Sequence, residues 1–218
     1  MKKQLAFFVD TRRCIGCFTC AMACKNQYHQ PAGVKWRDVH PLSEEIYPHR
    51  ESAHLTLACN HCEKPTCLEV CPVVAYYKRD EDGVVVHEQD KCIGCGNCIR
   101  SCPYGSPKYN ADLKKAEKCS FCWQRLDAGR DTACVQACPT RALQMVELST
   151  FDEPDTVQYI AGFPRFTRLN PSIRFRPPPP PTIRNKEEII WSFLLSYLPY
   201  SARYPSGWQS CWPRASGL

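Results

Sequence analysis

The sequence predicts an α+β protein of two nested units with an irregular, proline-rich C-terminal tail, and three observations predict it. Of the 17 cysteines, all but Cys211 fall in four runs. Short β-prone segments recur at fixed distances from those runs. After residue 150 the runs stop and the composition turns to proline and aromatic residues.

The third run sets the chemistry. Cys92-Ile93-Gly94-Cys95-Gly96-Asn97-Cys98-Ile99-Arg100-Ser101-Cys102-Pro103 reads C-x2-C-x2-C-x3-C-P, the spacing of 4Fe-4S cluster binding. A tight loop wraps three iron corners with thiolates two residues apart. The fourth cysteine points at a different cluster, so one such run implies a second.

Taken in order, residues 5–10 form an apolar strand ending at Asp10. Run one follows at Cys14, Cys17, Cys20 and Cys24, with Lys25 where run three has Pro103. Residues 25–58 are a polar connection leading to a strand at 53–57. Run two is Cys59, Cys62, Cys67 and Cys71, with one wider loop. Residues 75–78 and 84–87, around Asp82-Gly83, read as a hairpin with a tight turn. Run four is Cys119, Cys122, Cys134 and Cys138; its insertion, with Arg125, Gly129 and Arg130, reads as a helix end and turn.

The segment before Cys14 matches the one before Cys92, and residues 142–146 follow Cys138-Pro139 much as 74–78 follow Cys71-Pro72. The middle unit thus has a continuous hairpin, and the outer unit has the same hairpin split between its two ends. An inner dicluster unit, 51–110, is therefore expected inside an outer unit formed by 1–50 and 111–150, with 151–218 as the tail. That nesting assigns cluster A to Cys14, Cys17, Cys20 and Cys138, and cluster B to Cys119, Cys122, Cys134 and Cys24. Cluster C takes Cys59, Cys62, Cys67 and Cys102; cluster D takes Cys92, Cys95, Cys98 and Cys71. The competing choice pairs run one with run two and leaves both terminal strands without partners.

Structural zinc is the rival reading of the cysteines, but it favours two separated pairs over a triplet plus one. Gly16 and Gly94 allow backbone N–H groups close to cluster sulfurs. Lys25 and Arg100 either raise a neighbouring potential or lie in solvent. His61 either donates to a cluster sulfur or simply packs, and Trp36 and Trp123 read as packing. No phosphate loop, dinucleotide fingerprint or nucleophile–base pair is found, so catalysis by this chain alone is not expected. The formal charge of +6 is offset by four thiolate-bound clusters, bringing the holoprotein to about −2. It reads as compensation for buried anions, not as a nucleic-acid footprint. The cysteine usage and the short apolar run before Cys14 argue against a disulfide framework and a secretory signal. In the tail, Pro177–Pro181 form an extended spacer. Residues 189–198 are apolar but too short to span a bilayer; with Trp191, Tyr197, Tyr200, Trp208 and Trp212 they suit docking on a partner.

Several stretches carry a resemblance. They are Phe8-Val9-Asp10-x3-Cys14, Ala23-Cys24-Lys25-Asn26, Val34-x-Trp36-Arg37, Cys59-Asn60-His61-Cys62-Glu63-x-Pro65-x-Cys67, Cys102-Pro103-Tyr104-Gly105 and Lys118-Cys119-x2-Cys122-x2-Arg125. Over residues 5–150 the chain resembles the iron–sulfur electron-transfer subunits of the dimethyl sulfoxide reductase family of molybdoenzymes. The resemblance implies a ferredoxin-like fold with four 4Fe-4S clusters. It implies two partners, a molybdopterin-containing catalytic subunit and an integral membrane, quinol-oxidising anchor. It further implies a peripheral position on the membrane, cytoplasmic unless the chain is exported folded with a twin-arginine partner. Dimethyl sulfoxide reductase is the first expectation; polysulfide, thiosulfate or tetrathionate reductase and formate dehydrogenase are the alternatives, and a metal-stabilised scaffold without a redox role is the alternative of another class. The chain departs from the family at Val74, where a Gly is usual before the Ala, and at Thr132-Ala133, which replaces a proline-containing pair.

Overall fold

Residue 5 to residue 10 is uninterrupted Leu-Ala-Phe-Phe-Val-Asp, a run suited to a strand covered on both faces. In the computed structural model, which describes residues 3–42 and 53–178, this run is β1 (Leu5–Asp10), buried throughout. It is the central strand of three. On one side it pairs antiparallel with β8 (Leu143–Glu147), setting Phe7 opposite Met145 and Val9 opposite Leu143. On the other it pairs parallel with β9 (Ile173–Arg176), setting Phe7 opposite Ile173 and Val9 opposite Phe175.

Between β1 and β8 the chain is a series of small hairpins and one- or two-turn helices. These are α1 (Thr19–Gln27), β2 (Asp38–Pro41), β3 (His54–Leu57), α2 (Thr66–Glu69), β4 (Tyr76–Lys78), β5 (Val85–His87), α3 (Asn97–Ser101), β6 (Lys108–Asn110), β7 (Lys115–Glu117), α4 (Trp123–Asp127) and α5 (Ala133–Gln136). β2 pairs with β3, β4 with β5 and β6 with β7, all antiparallel. Such helices and hairpins are too short to be stable alone. Packing supplies the stability: α1 lies on α5 and α2 on α3. The core is built on β1, with Phe7 stacked on Phe121 at 4.2 Å between ring centroids.

The structure differs from the sequence reading in three places. The segment from 151 to 178 is not an irregular tail: it carries β9 and belongs to the same compact unit as β1. Ile173 and Phe175 are buried while Arg174 and Arg176 are half-buried, the period-two pattern of a strand. Phe151 meanwhile covers Phe8 on the outer face of β1 at 5.1 Å. Second, the hairpin at 75–87 turns through a longer loop than Asp82-Gly83 alone. Arg79 N–H donates to Val84 O and Gly83 N–H to Arg79 O, so residues 80–83 form the loop. Asp82 accepts the Val84 N–H at 3.0 Å and pairs with Arg79 at 3.2 Å, fixing that wider turn. Third, the β6–β7 hairpin has no counterpart in the sequence reading. The polyproline run beyond Pro178, the apolar stretch 189–198 and Cys211 lie outside the described residues.

Candidate iron–sulfur centres

Each run is built the same way. A loop carries the first cysteines, a short helix begins at or just before the third, and the fourth lies four residues further on. Cys20 and Cys24, Cys67 and Cys71, Cys98 and Cys102, and Cys134 and Cys138 are all spaced i, i+4. In α1 both cysteines lie within the helix, which puts their sulfurs on one face about 6 Å apart along the axis; Cys71, Cys102 and Cys138 lie just past the ends of α2, α3 and α5. The loops need left-handed backbone: Gly16 has φ +68 and Gly94 φ +73. A Cβ on Gly94 would collide with the Lys114 carbonyl oxygen, a contact no side chain tolerates. In the three runs that end in Cys-Pro, the third residue after the cysteine is left-handed: Val74 (φ 50), Gly105 (φ 57) and Arg141 (φ 54). Val74 is thus a β-branched residue in a region that suits glycine, and it is strained there.

The packing of α1 on α5 and of α2 on α3 brings run one to run four and run two to run three. After burial, the groups that raise Cys14 are Cys20, Cys138 and Cys17. Burial pushes Cys24 up to about 11, with Cys134 and Cys122 close enough to add to the shift, and Cys119 likewise lies near Cys24 and Cys134. Cys59, Cys62, Cys67 and Cys102 line one cavity. Cys98 faces Cys92 and Cys95, and Cys71 and Cys92 pack against the same small core as Cys98. The sets also neighbour one another in series. Cys20 is near Cys134, Cys119 near Cys59, and Cys67 near Cys98. Only Cys17 and Cys95 among the described cysteines are exposed, and none forms a disulfide.

These residues fit polynuclear clusters. Among the described residues no three His, Cys, Asp or Glu side chains converge where a single metal ion would sit, whereas a cubane offers each thiolate its own iron. Buried polar atoms around the thiols also lack protein partners, as an inserted group with acceptor sulfurs requires. Asn60 and His61 border the cavity of Cys59, Cys62, Cys67 and Cys102, and Asn60 Nδ2 and His61 Nε2 have no hydrogen-bond partner. His61 Nδ1 accepts the Val85 N–H at 3.0 Å. Burial, then Lys118 and Lys78, holds the ring neutral; its one proton is therefore on Nε2. Several sulfurs already receive donors: Cys24 from Gln30 Nε2 at 3.4 Å, Cys71 from Ala75 N–H at 3.3 Å, and Cys119 from Phe121 N–H at 3.4 Å.

The charged residues singled out in the sequence act elsewhere. Lys25 Nζ donates to the Pro31 and Val34 carbonyls, at 2.6 and 3.3 Å. Arg100 is exposed and bonds Asn97 Oδ1 and Cys95 O. Among the described residues the buried cations are Arg37 and Lys118, 2% and 3% exposed. Lys118 donates to Val85 O and, at 3.0 Å, to Cys119 O. Both lie in recognisable stretches, Val34-x-Trp36-Arg37 and Lys118-Cys119, but nothing in the pattern marks them as buried. Trp36 and Trp123 do pack against the core, Trp36 Nε1 donating to Glu117 Oε2 at 3.1 Å. Arg125 ties the insertion together and joins it to α1, donating to Asp131 O, Gln136 Oε1 and Gln27 Oε1. Residues 158–172 close the cavity of Cys59 and Cys62: Leu169 lines it, and Ser172 N–H donates to Asn60 O at 2.9 Å.

Residues 51–148 match the 4Fe-4S dicluster domain family. Two proteins of Escherichia coli, a probable anaerobic dimethyl sulfoxide reductase chain and a chain of the anaerobic dimethyl sulfoxide reductase itself, are 36% and 35% identical to this one over 190 residues, covering 81% of it and 90% of each relative. A tetrathionate reductase subunit of Salmonella typhimurium is 38% identical over 139 residues, 63% of this chain and 55% of its own length. Cysteine runs bound into helix-linked sets and the extent of these matches lead to one assignment: the chain belongs to the iron–sulfur electron-transfer subunits of the dimethyl sulfoxide reductase family of molybdoenzymes.

Proposed function

We propose that this chain carries electrons through four 4Fe-4S clusters between a quinol-linked membrane anchor and a molybdopterin catalytic subunit, and that the enzyme it serves is an anaerobic dimethyl sulfoxide reductase. The observation that carries the reading is the series of cysteine sets, each sharing a helix with a neighbour, that runs from exposed Cys17 to exposed Cys95. When bound, each cluster is a reversible one-electron carrier whose potential follows charge, hydrogen bonding and exposure. Cluster A is held by Cys14, Cys17, Cys20 and Cys138; B by Cys119, Cys122, Cys134 and Cys24; C by Cys59, Cys62, Cys67 and Cys102; D by Cys92, Cys95, Cys98 and Cys71. These form two nested ferredoxin-like units, 51–110 within 1–50 and 111–150, with the segment from 151 serving to dock a partner at its far end.

The chain's residues do the rest. Helix α1 holds the Cys20 and Cys24 sulfurs about one helical turn apart, and the aromatic core around Phe7, Phe121 and Phe163 keeps water from the inner sets. Ile15 and Phe18 flank exposed Cys17, and Ile93 is near exposed Cys95, so each end presents an apolar rim. No catalytic group of its own is assigned. Among the described residues no helix is long and apolar enough to cross a membrane; the reading makes the chain peripheral, held there by its partners.

The purified complex tests this. The chain is expected to carry about sixteen irons, and a quinol must reduce its clusters and dimethyl sulfoxide reoxidise them. Replacing Cys17 or Cys95 by Ser must each slow end-to-end transfer. A colourless chain that assembles normally would make it a scaffold. Reoxidation by tetrathionate and not by dimethyl sulfoxide would favour the second reading, which the tetrathionate reductase relative supports.

A further inference from the structure

A guanidinium removed from water is expensive unless an anion compensates it. Arg37 is 2% exposed. Its Nη1 donates to Thr56 Oγ1 at 3.1 Å, and its plane lies over the Phe7 ring, 4.3 Å from the centroid. Nε and Nη2 are buried with no protein acceptor. Burial alone would weaken its hold on the proton, but Cys134, Cys20, Cys119 and Cys24 act together to strengthen it. These four come from the two helices that pack together, α1 and α5, and from the loop before α4. In the four-cluster reading Cys20 belongs to A, and Cys24, Cys119 and Cys134 to B.

A second contact ties the cation to one sulfur. Thr56 Oγ1 lies 3.3 Å from Cys20 Sγ. Since that oxygen accepts from Arg37, its single proton is free for the sulfur, and a metal-bound thiolate has none to give back. Lys118, the other buried cation, acts on Cys67 of the inner set. The outer pair thus has its own positive charge, fixed by an aromatic face and a hydroxyl.

We propose that Arg37 is the counter-cation of the outer cluster pair: tied through Thr56 to Cys20 and seated on Phe7, which stacks on Phe121 beside Cys119, it stabilises an added electron on either cluster and so raises both reduction potentials. The step it acts on is the arrival of one electron; no bond breaks and no proton is taken up. Arg37 touches no substrate and is a positioning and tuning residue. The inference rests on the four-cluster reading, and wild-type iron content tests that reading separately. Fewer than four clusters in the wild type would remove the reading; four clusters that ignore Arg37 would remove the inference alone.

The experiment is a redox titration of the full complex, followed by electron paramagnetic resonance, with signals assigned by Cys17→Ser and Cys95→Ser. In Arg37→Gln the reduction equilibrium of both outer clusters is expected to fall roughly tenfold, the effect of losing one nearby charge in a low-dielectric site; for one electron this is about 59 mV. The inner clusters are expected to move less than about twofold. Arg37→Lys keeps the charge and should stay within about threefold of wild type. The proposal is overturned if Arg37→Gln keeps its iron with unchanged outer potentials, if all four clusters shift alike, or if Arg37→Lys shifts as far as Arg37→Gln, which marks a role in packing only. If Arg37→Gln loses iron, Thr56→Val decides: the Cys20 cluster must fall in potential while the other three hold, and an unmoved Cys20 cluster refutes the link.

Discussion

Phe175→Ala tests whether residues 151–178 belong to the core. Phe175 is fully buried. It packs on Phe163 at 5.0 Å, and Phe163 in turn stacks on Tyr104 at 5.1 Å with planes 7° apart. The backbone contacts of position 175, its register with Val9 and its two 2.8 Å bonds to Val157, survive the substitution. The loss is therefore the side chain alone, and truncating a buried Phe costs about 3–5 kcal/mol. Phe166→Ala is the control: Phe166 is 45% exposed, its ring perpendicular to that of Tyr104 with 6.0 Å between centroids, and it should cost about 1 kcal/mol. Cluster proteins unfold irreversibly, so the assay is a rate: anaerobic transfer into guanidinium, followed by loss of cluster absorbance. Each 1.4 kcal/mol that falls on the unfolding step is about a tenfold change. Phe175→Ala should thus bleach about a hundredfold or more faster than wild type, and Phe166→Ala about fivefold. Equal rates for the two variants would refute the placement of 151–178 in the core.

Other outcomes are as specific. Cys138→Ser should damage the cluster of Cys14, Cys17 and Cys20 and spare that of Cys119; resonance spectra showing damage confined to the Cys119 set would overturn the nested exchange. Gly94→Ala and Gly129→Ala both cost about 1–2 kcal/mol for left-handed backbone, but only the first collides with Lys114 O, whereas Gly129 has open space; iron analysis should find a deficit in Gly94→Ala alone. Val74→Gly should slow bleaching, since Val74 is 67% exposed and its strained φ of 50 is relieved; faster bleaching would show that strain is absent. Iron removal by an anaerobic chelator should abolish cooperative melting by circular dichroism, because the short helices lose what joins them.

What is legible in the sequence is set by chemistry that leaves little freedom. A triplet of thiols two residues apart has few uses, and the split repeat around it is enough to place β1 beside β8. Phe8 and Val9 are buried for the reason their run suggests. What stays hidden depends on tertiary context. Ile173–Arg176 is four residues long and adjoins a proline run, so its alternation does not stand out. β6 and β7 consist of Lys, Tyr, Asn, Ala and Glu, which carry no strand pattern; their pairing is reinforced by Asn110 and Trp36 both holding Glu117. Lys25 and Arg100 stand out because they sit beside cysteines in the chain, yet they hold carbonyls and solvent-facing side chains. Arg37, distant in sequence from Cys119 and Cys134, reaches them only because α1 folds onto α5.

The central place of β1 has a consequence for biosynthesis. Its two neighbours in the sheet, β8 and β9, are the last strands of the domain to be made. At about 5–20 residues per second, on the order of ten seconds separate β1 leaving the ribosome from the arrival of its partners. During that interval Leu5 to Val9 is an unpaired apolar strand beside the four reduced thiols of run one, a state prone to aggregation and oxidation. The hairpins and helices between 66 and 117 pair with one another and can close first. Maturation therefore runs from the middle of the chain outward, and a holding chaperone for the nascent chain would act on the first ten residues.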